Sequence, residues 1–197
     1  MTFKKKLLLI PALSLGLITH SMVAHAERYT IDTEGMHAFV QFKVQHLGFS
    51  WLHGNFNDFS GTFYYDENNP EKSSAELTIN TSSIDSNHAE RDKHLRGDDF
   101  LDVDKFPEAT FISTQYIPEK EGKGTLRGNF TLRGVTKEID IKIEHIGAGD
   151  DPWGGFRRGF EGKAKFAMAD FGLVYDLGLK SKDVELSFSV EGVREGK

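Results

Sequence analysis

Histidines are the side chains of this protein best suited to proton transfer or metal binding, and six of the eight, His37, His46, His53, His88, His94 and His145, follow residue 26. Their spacing builds no metal motif. His88 and His94 are six residues apart, whereas two ligands on one helix face stand three or four apart, and HExxH does not occur. Cysteine is absent, which removes thiol chemistry and thiolate metal sites. The acidic run Asp98, Asp99, Asp102 and Asp104 lacks the EF-hand spacing and reads as a solvated loop. No serine stands in a GxSxG elbow, and no glycine-rich stretch joins a strand to a helix as a phosphate loop would. His46 shares the apolar parity of its strand, so it is either a hydrogen-bonding partner for a ligand head group or a core histidine satisfied by backbone. A catalytic reading would have to use His46 or His88 with a nearby carboxylate as acid and base. The missing motifs favour a binding protein over an enzyme, with no cofactor and no metal.

The elements that would position these residues are strands. From Ala38 to His46, Val40, Phe42 and Val44 alternate with Gln41, Lys43 and Gln45, the period of a half-buried strand. The alternation returns in Leu77 and Ile79, in Ala109, Phe111 and Ser113, and in Leu126, Gly128, Phe130 and Leu132. It recurs in Ile139, Ile141 and Ile143, in Phe160 to Met168, and in Val184, Leu186, Phe188 and Val190. With the segment from Leu52 to Tyr65 this predicts about eight strands, most of them separated by Gly, Asn, Asp or Pro turns, the pattern of an antiparallel sandwich or barrel. The stretch His88 to Arg96 predicts one short helix, capped by Ser86-Asn87 and ended by Gly97. After it, Phe100, Leu101, Val103 and Phe106 alternate with acids in a loop expected to pack over one end of the sheet. Asp150 to Gly155 is a turn carrying Trp153, suited to cap a barrel mouth or to anchor a hairpin.

Residues 1–26 read as an export signal: Lys4, Lys5 and Lys6, an apolar run from Leu7 to Ile18, then Ala24-His25-Ala26. Pro11 interrupts the run, which is far short of the ~20 residues a spanning helix needs. Residues 27–197 then form a single domain, expected in the periplasm, with no stable membrane insertion. Export takes away three lysines and no acid, leaving 21 basic and 30 acidic residues, a net charge of −9. Such a chain has no basic patch for nucleic acid.

A closed barrel of eight strands is just wide enough to be filled by side chains or to hold one small ligand. Several inward positions are small: Gly54, Gly128, Gly162, Ala75, Ala109, Ala164 and Ser113, which suggests space inside, although glycine also marks bends and bulges. Sixteen phenylalanines against five tyrosines and two tryptophans supply apolar wall without polar atoms to satisfy. The candidate ligand-binding residues are Val40, Phe42, Val44, His46, Phe56, Leu77, Ile79, Phe111, Leu126, Phe130, Ile141, Phe160, Phe166 and Phe188. The alternatives are an enzyme acting on the head group of a lipid held inside and a filled barrel that binds a partner through its loops; a homodimer is left open.

Several motifs are recognisable. His37-Ala38-Phe39-Val40-Gln41-Phe42-Lys43-Val44-Gln45-His46-Leu47-Gly48 resembles the opening strand of the YceI-like, polyisoprenoid-binding periplasmic family. Asn87 to Arg96 followed by Phe100-Leu101 resembles its helical insertion. Phe106 to Phe111, Leu132 to Lys137, Gly147 to Gly154 and Asp170 to Leu173 are similar too, in the expected order from Tyr29 to Val193. The resemblance implies a lipocalin-like barrel of eight antiparallel strands with a long apolar pocket for an isoprenoid chain such as a polyprenyl quinone precursor. Similar family members hold fatty acids or fatty amides.

Overall fold

The structure, a computed structural model, describes residues 26–35, 37–176, 178 and 180–196. The export signal expected over 1–26 lies, except for Ala26, outside the described residues. Eleven strand segments follow one another: β1 (Glu27–Ile31), β2 (Phe39–His46), β3 (Ser50–Phe56), β4 (Phe59–Tyr65), β5 (Ser74–Asn80) and β6 (Ile84–Asp85), then β7 (Glu108–Pro118), β8 (Lys123–Leu132), β9 (Val135–Asp150), β10 (Phe156–Ala167) and β11 (Asp183–Arg194). One helix, α1 (Ala89–Arg96), stands between β6 and β7.

All pairings are antiparallel, and the eleven segments occupy eight lanes of a closed barrel. β11 pairs with β2 over Val184 to Ser189 and with β1 over Gly192 to Arg194, so β1 and β2 share one lane, broken at 32–38. β3 and β4 share the next lane, as do β5 and β6. The breaks in these two lanes are stitched together. Asn57 N donates to the Ser83 carbonyl, Asp58 N to Ser83 Oγ at 3.0 Å, and Asn80 Nδ2 to Asp58 Oδ2 at 2.8 Å. The expected single strand from Leu52 to Tyr65 is therefore two, and β1, too short to show a repeat of its own, closes the barrel unpredicted.

Alternation decides which face is buried: Val40 and Phe42 are buried while Phe39 and Gln41 are exposed. The apolar face of every lane turns inward. Turn chemistry sets the hairpins, as where Arg133 and Gly134, both at positive φ, join β8 to β9 in two residues. The helix departs from expectation at its start. His88, not Ser86 or Asn87, is the cap, its Nδ1 accepting from Arg91 N at 3.2 Å. Asn87 has φ 63° and turns the chain, while Ser86 is engaged by Asp92 and Arg91.

The break between β1 and β2 is held by one cation. Arg157 donates to Asp32 and to Glu191, each at 2.5 Å, and to Asp151 at 2.8 Å. Asp151 also accepts the amides of Trp153 and Gly155, so the Asp150 to Gly155 turn anchors a hairpin and leaves Trp153 exposed. Asp32, His37 and Glu191 bring ligand atoms within 4.8 Å of one another, but the Arg157 guanidinium already binds both acids. Arg157, then His37, holds the Asp32 carboxyl down to about 2 from 3.8. A depressed carboxyl stabilises the fold above its unfolded value, and that contribution is lost as pH falls from about 4 to about 2. Asp32→Asn is expected to lower the thermal midpoint at pH 7, the gap to the parent closing across that window in acid-unfolding scans.

Candidate functional site: an apolar cavity in two chambers

The barrel interior holds two apolar chambers, end to end along the strands. The narrower, of about 110 Å³, is walled by Phe63, Leu77, Phe111, Leu126, Ile141, Phe160 and Phe188. The wider, of about 610 Å³, is walled by Phe42, Phe56, Ile79, Ala109, Phe130, Phe166 and Leu186. On β7 the boundary falls between Ala109 and Phe111, and on β11 between Leu186 and Phe188.

The wide chamber exists because the sheet opens there. The β5–β7 ladder ends at Asn80 and Glu108, and β6 pairs only with β3, so α1 and the loop 97–107 complete the wall. α1 is fixed by its polar residues. Buried Asp92 accepts the Ser86 amide at 2.8 Å and the Ser86 hydroxyl, and Arg91 Nε donates to that hydroxyl at 2.7 Å. Arg96 donates to the carbonyls of Ser82 and Ile84 at 2.7 and 2.8 Å. Leu95, Phe100 and Leu101 then line the chamber, while His46, His94, Arg91, Asp176 and Ser181 give it one polar edge.

At the narrow end the interior turns polar. Arg158, two residues before Phe160 on β10, has a side chain only 2% exposed and lies 4.2 Å over the Tyr65 ring. It donates to Tyr29 Oη at 3.3 Å, to His145 Nε2 at 3.2 Å and to Glu67. Every described buried polar side-chain atom has a partner, as the high cost of an unpaired buried charge requires. His145 is packed against Tyr65 and Phe160, and burial, then the Arg158 charge, pushes its pKa below 6.5.

The sequence-predicted residues divide between the chambers. Phe42, Val44, His46, Phe56, Ile79, Phe130 and Phe166 line the wide one, and Leu77, Phe111, Leu126, Ile141, Phe160 and Phe188 the narrow one. Val40 is buried in the wall and lines neither, and His46 is exposed at the rim rather than in the core. His88 caps α1.

The small residues do not all make space. An added Cβ at Gly54 would stand 2.3 Å from the Phe42 ring, and one at Gly128 2.6 Å from Phe111 and 2.5 Å from the Ile112 carbonyl. Those glycines are covered by aromatic rings; Ala109 and Ala75 face the chambers. Ser113 is spent on backbone, accepting the Ala75 amide at 2.8 Å beside a bulge in β7. Arg158 and Tyr65 are not legible in the sequence, where a charged or hydroxylated residue reads as outward; the one signal is the parity Arg158 shares with Phe160.

A closed antiparallel barrel with a helix over one end defines the class: a β-barrel that encloses an apolar cavity rather than a solid core. A family model described as a YceI-like domain matches residues 29–192. The chain belongs to the YceI-like family. It is 53% identical to Protein YceI of Salmonella arizonae over 193 residues, covering 98% of this chain and 99% of that one. It is equally 53% identical to a UPF0312 protein of Pseudomonas aeruginosa over 191 residues, covering 97% and 99%. Among solved structures, Burkholderia cenocepacia BcnA shares the fold at a TM-score of 0.74 and 20% identity, covering 82% of this chain and 98% of that one. A polyisoprenoid binding domain from Saccharophagus degradans does so at 0.61 and 15%, covering 84% and 98%.

Gly128→Ala is expected to cost about 1–3 kcal/mol in denaturant unfolding, because the Ile112 carbonyl cannot yield as a flexible side chain would. The imidazole of His145 should titrate below 6.5 by NMR. Its unfolded form takes the proton more readily, so stability falls as pH drops below 6.5, and His145→Gln should remove that component.

Proposed function

We propose that this protein is a periplasmic carrier or store that holds one long apolar lipid, a polyisoprenoid such as a polyprenyl quinone precursor, within its barrel. The observation that carries this reading is the wide chamber of about 610 Å³ walled chiefly by Phe, Leu and Ile side chains. That volume lies in the range of about 300–1,000 Å³ typical of small-molecule sites, and water gains little from such walls. Each methylene buried there contributes roughly 0.8 kcal/mol, so a prenyl chain binds with few polar contacts. A polyisoprenoid, the ligand in the description of the Saccharophagus degradans neighbour, has the apolarity these walls suit. Selection would follow chain length and girth, the polar edge of His46, His94 and Arg91 adding modest preference for a head group. The periplasmic setting is supported by the leader-like residues 1–26. No helix among the described residues is long and apolar enough to cross a membrane.

Native mass spectrometry of protein taken from the periplasm, followed by solvent extraction, is expected to give one prenyl lipid per chain. Recovery of empty protein would remove the proposal's main support. Ala109→Phe, which projects a ring into the wide chamber, is expected to abolish lipid retention while circular dichroism still reports the barrel.

A further inference from the structure

The open end of the wide chamber is ringed by apolar side chains that the barrel does not need. The β2–β3 hairpin presents Leu47, Phe49 and Trp51, Phe49 being 86% exposed, and the stretch after β10 adds Val174 and Tyr175. The two segments meet: Leu47 N donates to Ser181 Oγ at 3.2 Å, and both Leu47 and Tyr175 line the chamber.

The hairpin turn is built against its local preference. Leu47 and Gly48 have φ of 52° and 87°, with Phe49 N donating to the His46 carbonyl at 2.9 Å, a turn whose first central position suits Asn, Asp or Gly. A bulky aliphatic side chain at positive φ is a strained choice. Here the strain places an apolar side chain at the tip.

The hairpin, residues 43–53, carries Lys43 and no acid, and residues 180–182 add two lysines; the acids beside this rim are Asp176 and Glu185, the latter pairing with Lys43 at 2.9 Å. Lys43 lies 4.5 Å over the Trp51 ring, an amphipathic pairing suited to the boundary between acyl chains and phosphates. We propose that this rim docks on a phospholipid bilayer, apolar tip among the acyl chains and lysines beside the phosphates, so that cargo passes between membrane and chamber without crossing water. This rests on the lipid-holding reading of the chamber.

The test is flotation of the purified protein with vesicles of phosphatidylethanolamine and phosphatidylglycerol. The parent floats with the vesicles, and Phe49→Asp is expected to reduce the floating fraction at least about tenfold, the equivalent of about 1.4 kcal/mol. Leu47→Asn fits the left-handed turn, so it should keep or raise the thermal midpoint while lowering flotation, which separates docking from folding. Ile146→Asp, an exposed site on the β9–β10 hairpin, should float like the parent. In a Trp153→Phe background, Trp51 emission is expected to shift blue on adding vesicles. A parent that stays in solution, or a Phe49→Asp protein that floats undiminished, overturns the proposal. So does loss of a dimer in Phe49→Asp without vesicles when the parent does not float, since the rim would then be a contact between copies. A fluorescent farnesyl probe held by both parent and Phe49→Asp in solution shows the chamber reading intact whichever way flotation falls.

Discussion

The shape of the interior depends on one constraint, the closure of the sheet on itself. β11 must meet β2 along one half and β1 along the other, and the chain between those partners leaves the lane at 32–38. The broken lane leaves β1, five residues long, to meet β11 only from Tyr29 to Ile31. Arg157 answers this by tying Asp32 in the break to Glu191 on β11 and to Asp151 in the β9–β10 turn. Closure in turn fixes the girth at eight lanes, which leaves room for a guest only where the walls are spread or thin.

The chamber's location follows from where the ladder fails. Between β6 and β7 no backbone bonds are made, and the wall is a helix and a loop rather than a strand. A loop cannot replace a ladder unless its polar groups are satisfied, and the Ser86, Arg91, Asp92 and Arg96 contacts satisfy them. The conspicuous polar residues of the helical motif therefore serve architecture, except His94 and Arg91, which also reach the chamber edge. What looked like chemistry in the sequence is mostly the fastening of a flap.

Period-two alternation made the eight-lane barrel and the apolar lining legible, because a strand with one buried face writes that face into its sequence. Alternation does not report where a lane breaks, so Leu52 to Tyr65 reads as one strand although Asn57 and Asp58 divide it. Nor does residue size report empty space. Gly54 and Gly128 look like gaps until Phe42 and Phe111, cross-strand neighbours, lie over them. The wide chamber arises from missing pairing, a long-range property that no local run of residues encodes. Arg158 escaped for the opposite reason: inward parity in a charged residue is credible only once Tyr29, Glu67 and His145 from three other segments are seen to satisfy it.

The two ends of the interior are thus unlike. At one, Arg158 is enclosed by aromatic rings and partnered on every side, so displacing it would strand a buried charge at a cost of several kcal/mol. At the other, the wall is a helix, a loop carrying the buried Phe100 and Leu101, and a strained hairpin whose Leu47 and Phe49 are exposed. A prenyl chain held as proposed would run its apolar length toward the narrow chamber, its polar end lying among His46, His94 and Arg91 at the polar edge of the wide one.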